Sequence, residues 1–302
     1  MKQGFVKVAS ATPRIRVADP VYNAQVICEQ AKEAAEHGAK IVVFPELCIT
    51  GYTCNDLFLQ ELLLEKAKEA LLTIAEETGQ LETLFLVGLP VDKDGRLYNV
   101  AAVLYRGRIL GMIPKKNIPM YAEFYEGRHF TPGEETVTEY RLGKQVIPFG
   151  SNLLFRCEEL PELILGCELC EDLWVAEPPS TSHALMGATV IANLSASNET
   201  VSKDDYRTLL IKASSARLLC GYIYTSAGEG ESTQDLVFGG HDLIAENGTL
   251  LVQSARFTTG ILYTDLDVLK ISSERRRMGT FGKRPMKPYL TVPFSMQLTG
   301  TK

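Results

Sequence analysis

Apolar residues follow two different periodicities along this chain. Residues 41–44 and 83–89 are short apolar runs with the length, about 4–8 residues, that is typical of buried strands. Residues 23–37 and 62–78 instead place apolar side chains at helical spacing, and Gly38 follows the first of these segments where a helix would end. The pattern therefore predicts a chain that contains both strands and amphipathic helices.

The predicted elements alternate along the whole sequence. Helices are expected at residues 23–37, 62–78, 182–187 and 205–219, and strands at residues 5–9, 40–45, 83–90, 99–105, 109–114, 145–147, 152–156, 163–167, 190–194, 222–225 and 250–254. Turn dipeptides such as Asp94-Gly95 and Asn247-Gly248 join neighbouring strands into hairpins, which predicts mixed rather than purely parallel sheets. Strands covered by helices are typical of α/β proteins. We therefore expect two mixed sheets packed together with helices outside, a four-layer α-β-β-α sandwich.

Length and charge limit the domain organisation and the partners. The 302 residues suffice for one large α/β domain or two small ones, and no linker, repeat or low-complexity tract divides them. We expect a single domain over residues 1–302. The 31 Lys and Arg against 37 Asp and Glu give a formal net charge of −6, spread evenly. This balance argues against nucleic acid or an anionic membrane as the main partner.

No segment has the features of a membrane anchor or a leader peptide. The longest apolar runs fall far short of the ~20 residues that span a bilayer. Residues 1–5 lead into strand-like sequence without the apolar core of a signal peptide. We therefore expect a cytoplasmic protein.

The seven cysteines do not form the dense pattern of a disulfide-rich secreted protein. Cys28 falls on the apolar side of a predicted helix, where core packing is the simplest explanation. Cys167 and Cys170 form a C-x-x-C, which is compatible with a redox pair or with half of a zinc site. No second C-x-x-C and no histidine pair at ligand spacing accompanies it, so zinc is disfavoured.

Three chemically useful side chains each follow a predicted buried strand. Glu46 comes after residues 41–45, Lys115 after residues 109–114, and Cys170 soon after the strand near residues 163–167. Taken singly, the two charged residues could be solvated strand ends and Cys170 a small buried apolar residue. Carboxyl ends of strands are, however, where α/β proteins place their ligands. We therefore expect a carboxylate, an ammonium and a thiol to converge in one crevice.

The short motifs around these residues resemble a known family. Phe44-Pro45-Glu46, Pro114-Lys115 and Cys170-Glu171-Asp172-Leu173-Trp174 occur in the order of the Glu–Lys–Cys signature of the nitrilase (carbon–nitrogen hydrolase) superfamily. The resemblance extends along the whole chain. Residues 51–58, 121–126, 193–197 and 215–230 are similar to one branch, the amino-terminal glutaminase domain of glutamine-dependent NAD⁺ synthetase. This implies a nitrilase-like fold, a Glu46–Lys115–Cys170 catalytic set, and hydrolysis of glutamine to glutamate and ammonia through a cysteine thioester.

The chemistry of the three side chains suits the roles that the resemblance implies. A free cysteine has a pKa of about 8.5 and attacks only as the thiolate. Burial and the neighbouring Glu168, Glu171 and Asp172 are expected to raise the pKa of Cys170. A carboxylate such as Glu46 can take the thiol proton during attack. Lys115 can stabilise the tetrahedral oxyanion, together with a backbone N–H just after Cys170.

The resemblance also implies a substrate site made of Tyr121, Glu123, Glu171 and Ser197. Glu123 is marked as a second glutamate near the catalytic lysine, and Glu126 is the alternative for that position. Acceptors among these side chains suit the α-ammonium of glutamine, and donors suit its α-carboxylate. Loop packing for Tyr121 and strand-end capping for Ser197 are the competing interpretations. Lys116 is the alternative to Lys115, which is preferred because it directly follows the proline at the strand end.

The resemblance stops before an ATP-dependent synthetase domain. Gly239-Gly240-His241-Asp242 lacks both serines of the Ser-Gly-Gly-x-Asp-Ser pyrophosphate loop of that domain. We expect an isolated glutaminase domain without a cofactor of its own, with ATP, Mg²⁺ and deamido-NAD⁺ bound by the synthetase domain as its partner. We also expect a homo-oligomer. The alternatives are a free-standing amidase for another small amide and an inactive scaffold, which the intact catalytic set disfavours.

Overall fold

The computed structural model describes residues 4–282 and 288–297. Residues 1–3, which precede the predicted first strand, lie outside the described part. Its helices are α1 (Pro20–Glu36), α2 (Glu61–Glu77), α3 (Pro179–Leu185), α4 (Lys203–Leu218) and α5 (Val268–Arg277). Its strands are β1 (Phe5–Thr12), β2 (Ile41–Val43), β3 (Leu84–Lys93), β4 (Arg96–Tyr105), β5 (Arg108–Pro114), β6 (Thr138–Leu142), β7 (Gln145–Phe149), β8 (Leu153–Cys157), β9 (Ile164–Leu169), β10 (Val190–Ser195), β11 (Gly221–Ser226), β12 (Leu243–Glu246), β13 (Thr249–Gln253), β14 (Gly260–Asp267) and β15 (Leu290–Phe294).

Within these ranges the strands form two mixed sheets. The first has the order β14-β1-β2-β3-β4-β5-β7-β6, and the second the order β13-β12-β11-β10-β9-β8-β15. In the first sheet β2 is parallel to β3, while β4 is antiparallel to both β3 and β5, so β2 and β5 run in the same direction. In the second sheet β9, β10 and β11 are parallel neighbours. The residues that follow β2 and β5, and those that follow β9 and β10, therefore lie at carboxyl edges of the two sheets.

Side chains on opposite faces of each sheet pack into different layers. In β3, Leu84 and Leu86 pack into the core between the two sheets, whereas Phe85 and Val87 pack with α1 and α2. On the far side of the second sheet, Tyr222 packs with residues of α3 and α4. The alternation follows from the two-residue period of a strand. The predicted four-layer α-β-β-α sandwich with two mixed sheets is confirmed.

Most of the elements that the sequence pattern missed lie at the edges of the two sheets. The sequence pattern missed β6, β14 and β15, each of which lies at the edge of its sheet. Edge strands have one strand neighbour and keep many half-exposed residues, so their apolar pattern is weak. The pattern also missed α5. The predicted strand at residues 40–45 ends at Val43, and Glu46 consequently lies in a turn beyond it. In the part of the chain described, no helix is long and apolar enough to cross a membrane.

Candidate active site

The turn after β2 buries Glu46 completely. Gly88 of β3 lies against this turn, and a Cβ atom at that position would come within 2.7 Å of the Pro45 carbonyl oxygen. A side chain at residue 88 would therefore push the backbone of residues 45–47 away from the sheet. Because Gly88 has no side chain, the turn packs directly on β3 and the Glu46 carboxylate points inward.

Lys115, directly after β5, donates from Nζ to two buried carboxylates. The distances are 2.7 Å to Glu46 Oε1 and 2.6 Å to Glu126 Oε1. The Lys115 side chain has no exposed surface, and Glu126 is buried in the loop that follows β5. Buried charges persist in a protein when they are paired and hydrogen bonded, as these three are.

Neutral donors fix the orientation of both carboxylates. Asn99 Nδ2, from the middle of β4, donates to Glu46 Oε1 at 2.7 Å, and the Ala196 backbone N–H donates to Glu46 Oε2 at 2.9 Å. Tyr52 Oη donates to Glu126 Oε1 at 2.7 Å. The Ala196 contact comes from the carboxyl end of β10, so Glu46 joins the carboxyl edges of the two sheets. Each carboxylate is thus held by more than its ion pair with Lys115.

Cys170 lies at a sharp turn: it directly follows β9 and is the first residue of a short 3-10 helix, Cys170–Leu173. Its φ of 38° lies in the left-handed region, which is uncommon for a residue with a side chain and often marks functional sites. The buried Asp172 holds this turn, because it accepts from Leu169 N at 3.1 Å and from Asn117 N at 2.8 Å. Asn117 lies two residues after Lys115. Asp172 therefore ties the cysteine turn to the lysine turn.

Burial and the charges around Cys170 favour the protonated thiol. Burial raises the pKa of Cys170, and the negative charge of Glu46 raises it further, against the opposing effect of Lys115. Burial by itself lowers the pKa of Lys115, but the charges of Glu126 and Glu46 outweigh it and hold that pKa well above its ordinary value. The resting site is thus a neutral thiol next to an ammonium that is shared by two carboxyl groups.

The predicted source of this electrostatic effect needs correction. We expected Glu168, Glu171 and Asp172 to raise the pKa of Cys170, but the main charges come from Glu46 and Glu126 on other segments. The sequence neighbours are engaged elsewhere. Glu168 accepts from Ser180 N at 2.8 Å and from Tyr222 Oη, and burial raises its pKa to about 7. Glu171 lines the pocket beside Cys170 but accepts from Tyr121 Oη, so adjacency along the chain does not by itself decide which charges act on the thiol.

A pocket of about 390 Å³ opens beside Cys170. Its volume is within the range of about 300–1,000 Å³ that is usual for small-molecule sites. The side chains lining it include the four predicted substrate residues and one cation that the sequence analysis missed: Tyr121, Glu123, Glu171, Ser197 and Lys203. Tyr121 Oη donates to the Glu171 carboxylate at 2.9 Å. The structure therefore brings the predicted substrate residues together around the predicted nucleophile.

Comparison with known proteins agrees with this geometry. The carbon-nitrogen hydrolase family profile matches residues 7–276. This chain is a member of the carbon-nitrogen hydrolase family. It is 43% identical over 282 residues to a glutamine-dependent NAD(+) synthetase from Mycobacterium tuberculosis, covering 93% of this chain and 42% of that protein. It is also 40% identical to the glutamine-dependent NAD(+) synthetase of Mycobacterium leprae, covering 98% and 45%. The chain thus spans less than half the length of these curated relatives.

Solved structures show the same fold. A glutamine-dependent NAD(+) synthetase from Cytophaga hutchinsonii matches with a TM-score of 0.78 and 28% identity, over 87% of this chain and 43% of that chain. An amidase from Nesterenkonia sp. matches with a TM-score of 0.69 and 21% identity, over 92% and 96% of the two chains. At that identity, the second likeness concerns the fold alone. Both agree with the two-sheet architecture of this carbon-nitrogen hydrolase.

The position of the second glutamate is corrected by the structure. The resemblance marked Glu123 as the glutamate near the catalytic lysine and left Glu126 as the alternative. The carboxylate that accepts from Lys115 Nζ together with Glu46 is that of Glu126. Glu123 instead accepts from Asn198 Nδ2 and lines the pocket. The two residues lie only three positions apart on one loop, directly after Ala122 with its positive φ of 49°, so sequence distance from Lys115 did not discriminate between them.

Two further contributors could not be identified as site residues from the motifs alone. Asn99 is a buried polar residue within the otherwise apolar run of β4, and that contrast was a usable signal. Lys203 is the first residue of α4 and lies far along the chain from each catalytic motif. Nothing in its local sequence distinguishes it from an ordinary surface lysine.

The C-x-x-C cysteines point into different environments. Cys167 packs in the core between the two sheets, whereas Cys170 lines the pocket. Both are free thiols. Among the residues that the structure describes, no group of three His, Cys, Asp or Glu side chains is arranged to hold a metal ion. This arrangement does not support a redox or zinc role for the pair.

The two adjacent lysines are expected to differ sharply on substitution. Lys115→Ala removes the cation between Glu46 and Glu126 and should lower kcat about 10²–10³-fold, the usual effect of losing one oxyanion donor. Lys116 pairs at the surface with Glu135 at 2.6 Å, so Lys116→Ala should change kcat less than about threefold, as for other exposed ion pairs. Steady-state ammonia release by the two variants checks this. The reverse order of effects would contradict the placement of Lys115.

Proposed function

We propose that this carbon-nitrogen hydrolase is the glutamine amidohydrolase part of a glutamine-dependent NAD⁺ synthetase. It hydrolyses glutamine to glutamate and ammonia, and the ammonia is passed to a synthetase domain that amidates deamido-NAD⁺. The observation that carries the proposal is the buried Lys115, which is held between Glu46 and Glu126 beside the thiol of Cys170. The identity to glutamine-dependent NAD(+) synthetases supports the choice of glutamine among small amides.

In the first half-reaction Cys170 Sγ attacks the side-chain carboxamide carbon of glutamine. Because the pKa of the thiol is raised by burial, its proton moves to the Glu46 carboxylate as the S–C bond forms. Lys115 Nζ lies next to Glu46 and stabilises the oxyanion of the tetrahedral intermediate. Glu46 then returns the proton to the leaving nitrogen and the C–N bond breaks. Ammonia departs, and a γ-glutamyl thioester remains on Cys170.

In the second half-reaction water hydrolyses the thioester. Glu46 accepts a proton from water as the oxygen attacks the thioester carbon, and Lys115 again stabilises the oxyanion. The C–S bond breaks, and the Glu46 proton goes to the departing sulfur of Cys170. Glutamate is released and the resting thiol is restored. Asn99 and Ala196 N keep Glu46 in one orientation through both proton transfers.

The charges that line the pocket suit an α-amino acid. Glu171 and Glu123 offer carboxylates to an α-ammonium group, and Lys203 offers an ammonium to an α-carboxylate. Ser197 supplies a hydroxyl that accepts from Arg207 Nη2 at 3.4 Å. An aliphatic amide without these charged groups could not pair with the carboxylates and the ammonium that line the pocket and would gain nothing from them.

The hydrolytic cycle uses groups of this chain alone. ATP, Mg²⁺ and deamido-NAD⁺ would bind the synthetase domain of the longer protein. We further propose that the protein acts in the cytoplasm and assembles as a homo-oligomer.

The test is an assay of the 302-residue chain with glutamine, with and without added synthetase domain. Glutamate and ammonia should appear in equal amounts, and mass spectrometry of acid-quenched protein should detect a γ-glutamyl adduct on Cys170. Turnover of simple aliphatic amides with little glutamate formation would instead support the free-standing amidase. The absence of any turnover, with the longer protein also inactive, would support the inactive scaffold.

A further inference from the structure

One carboxamide joins two charged side chains of the pocket. Asn198 lies three residues beyond β10 and is buried. Its Nδ2 donates to Glu123 Oε1, and its Oδ1 accepts from Lys203 Nζ. Glu123 comes from the loop after β5 and Lys203 from the start of α4, and both line the pocket beside Cys170. Asn198 is therefore the link between an anion and a cation that come from separate segments.

The backbone of Asn198 is held without help from its side chain. Arg207 Nη2 donates to the Asn198 carbonyl oxygen at 3.2 Å, and Asn198 forms an antiparallel bridge with Phe238. The next residue, Glu199, donates from its N–H to Val237 O at 2.7 Å and accepts from Arg207 Nη1 at 2.8 Å. Changing the side chain of residue 198 should therefore leave this segment in place.

Lys203 depends on the Asn198 acceptor for its position. Its ammonium lies 5.1 Å from the Trp174 ring centroid and 5.5 Å from that of Phe124. Burial lowers the pKa of Lys203 and the charge of Arg207 lowers it further, while the negative charges of Glu123 and Glu199 favour its charged form. Ring faces attract a cation with little directional preference, whereas a carbonyl oxygen fixes the N–H direction. Without Asn198 Oδ1, the four-carbon side chain of Lys203 is free to turn towards solvent.

We propose that Asn198 is a positioning residue that sets the separation of Lys203 and Glu123, and thereby selects substrates that carry both an α-carboxylate and an α-ammonium. This inference rests on the proposed function for the identity of the substrate. A neutral carboxamide can accept from a cation and donate to an anion at the same time. Aspartate would keep the contact with Lys203 but would repel Glu123, and alanine would lose both contacts.

The first test separates binding from chemistry. Asn198→Ala should raise KM for glutamine about tenfold and change kcat less than about threefold, because residue 198 acts through groups that bind substrate. If Asn198 acts through Lys203, Asn198→Ala should add little to the KM of a Lys203→Met variant. Lys212→Met, an exposed substitution of the same type on α4, is the matched control and should leave KM unchanged.

The second test does not require glutamine turnover. Iodoacetate and iodoacetamide alkylate the same Cys170 thiol but differ in charge. The ratio of their rate constants therefore depends on the positive charge near the thiol. Both Lys203→Met and Asn198→Ala should lower the iodoacetate-to-iodoacetamide ratio roughly fivefold, a Coulomb effect of about the size expected for one nearby charge. Lys212→Met should keep the wild-type ratio. Arg207 is unchanged in every variant and contributes equally throughout.

The outcomes distinguish this inference from the proposed function. If glutamine is not hydrolysed but the ratio falls in Asn198→Ala as in Lys203→Met, the positioning role stands and the substrate assignment fails. If glutamine is hydrolysed but Asn198→Ala keeps the wild-type ratio and KM, Asn198 does not position Lys203 and the inference is overturned. Additive KM effects of Asn198→Ala and Lys203→Met would overturn it as well.

Discussion

Replacing Cys170 by alanine should abolish glutamate formation from glutamine and leave the fold intact. The mechanism requires a sulfur atom to form the thioester, and no other group takes over that bond. The thiol is a small buried group at a turn, so its loss should lower the free energy of unfolding by about 1 kcal/mol. For a chain of 302 residues such a change shifts Tm by about 1–2 °C. Ammonia release and a thermal melt of the same preparation measure both effects.

Cys167→Ala is the matched control for this variant. Cys167 lies three residues earlier and packs in the core between the sheets. Its replacement should lower stability by a similar or larger amount, because it leaves a small cavity, and should preserve most of the glutaminase rate. Residual activity of Cys170→Ala above a few per cent, with Cys167→Ala equally impaired, would indicate that both cysteines of the C-x-x-C act together.

The reactivity of Cys170 towards a small electrophile should show how the thiol is held. Because burial and the charge of Glu46 raise its pKa, alkylation by iodoacetamide should still accelerate as the pH rises past 9. A thiolate formed below neutral pH, as in proteins that depress the pKa of the cysteine, would give a plateau instead. In the proposed mechanism, the raised pKa is the reason that this thiol needs an adjacent base to attack at neutral pH.

The sequence could predict the three candidate catalytic positions because two of them follow directly from a strand and Glu46 lies in the turn soon after β2. Lys115 and Cys170 come immediately after β5 and β9, and strand direction brings such ends to one edge. Glu126 could be proposed only as an alternative to Glu123. Both lie on one irregular loop, three residues apart, and only the contact of Glu126 with Lys115 Nζ in the folded chain distinguishes them. The course of such a loop leaves no periodic pattern in the sequence.

The remaining site residues were missed for a different reason. Asn99 and Asn198 donate to carboxylates from segments that are distant in sequence, and Lys203 is held by the Asn198 carboxamide. Their roles depend on how the two sheets and α4 pack, which the hydrophobic pattern specifies only coarsely. The edge strands β6, β14 and β15 were missed because partial burial weakens the same pattern. The sequence thus predicts the core and the strand ends better than the contacts built between them.

Glu46→Gln should nearly abolish glutamine turnover. General-base catalysis by a side chain is typically worth about 10²–10⁴-fold, so kcat of the variant should fall by at least about 10²-fold. The γ-glutamyl adduct on Cys170 should also fail to accumulate in rapid-quench mass spectrometry, because the thiol proton has no acceptor during attack. Formation of the adduct at the wild-type rate would contradict a proton-transfer role for Glu46.

The competing explanation is that glutamine at residue 46 only disturbs the buried ion pairs. Lys115 and Asn99 donate to one oxygen of Glu46 and Ala196 N to the other, so an amide nitrogen would face a donor on whichever side it lies. Glu126→Gln controls for this effect, because Lys115 and Tyr52 donate to the same oxygen, Oε1, and the amide nitrogen placed at Oε2 meets only the longer 3.4 Å contact from Asn99 Nδ2. It should retain far more turnover than Glu46→Gln. Iodoacetamide at pH 10, where hydroxide supplies the base, should still alkylate Cys170 in Glu46→Gln at least as fast as in the wild type, because losing the charge of Glu46 lowers the pKa of the thiol. Loss of that alkylation together with turnover would make Glu46 a structural anchor, and the base would then have to be sought at Glu126.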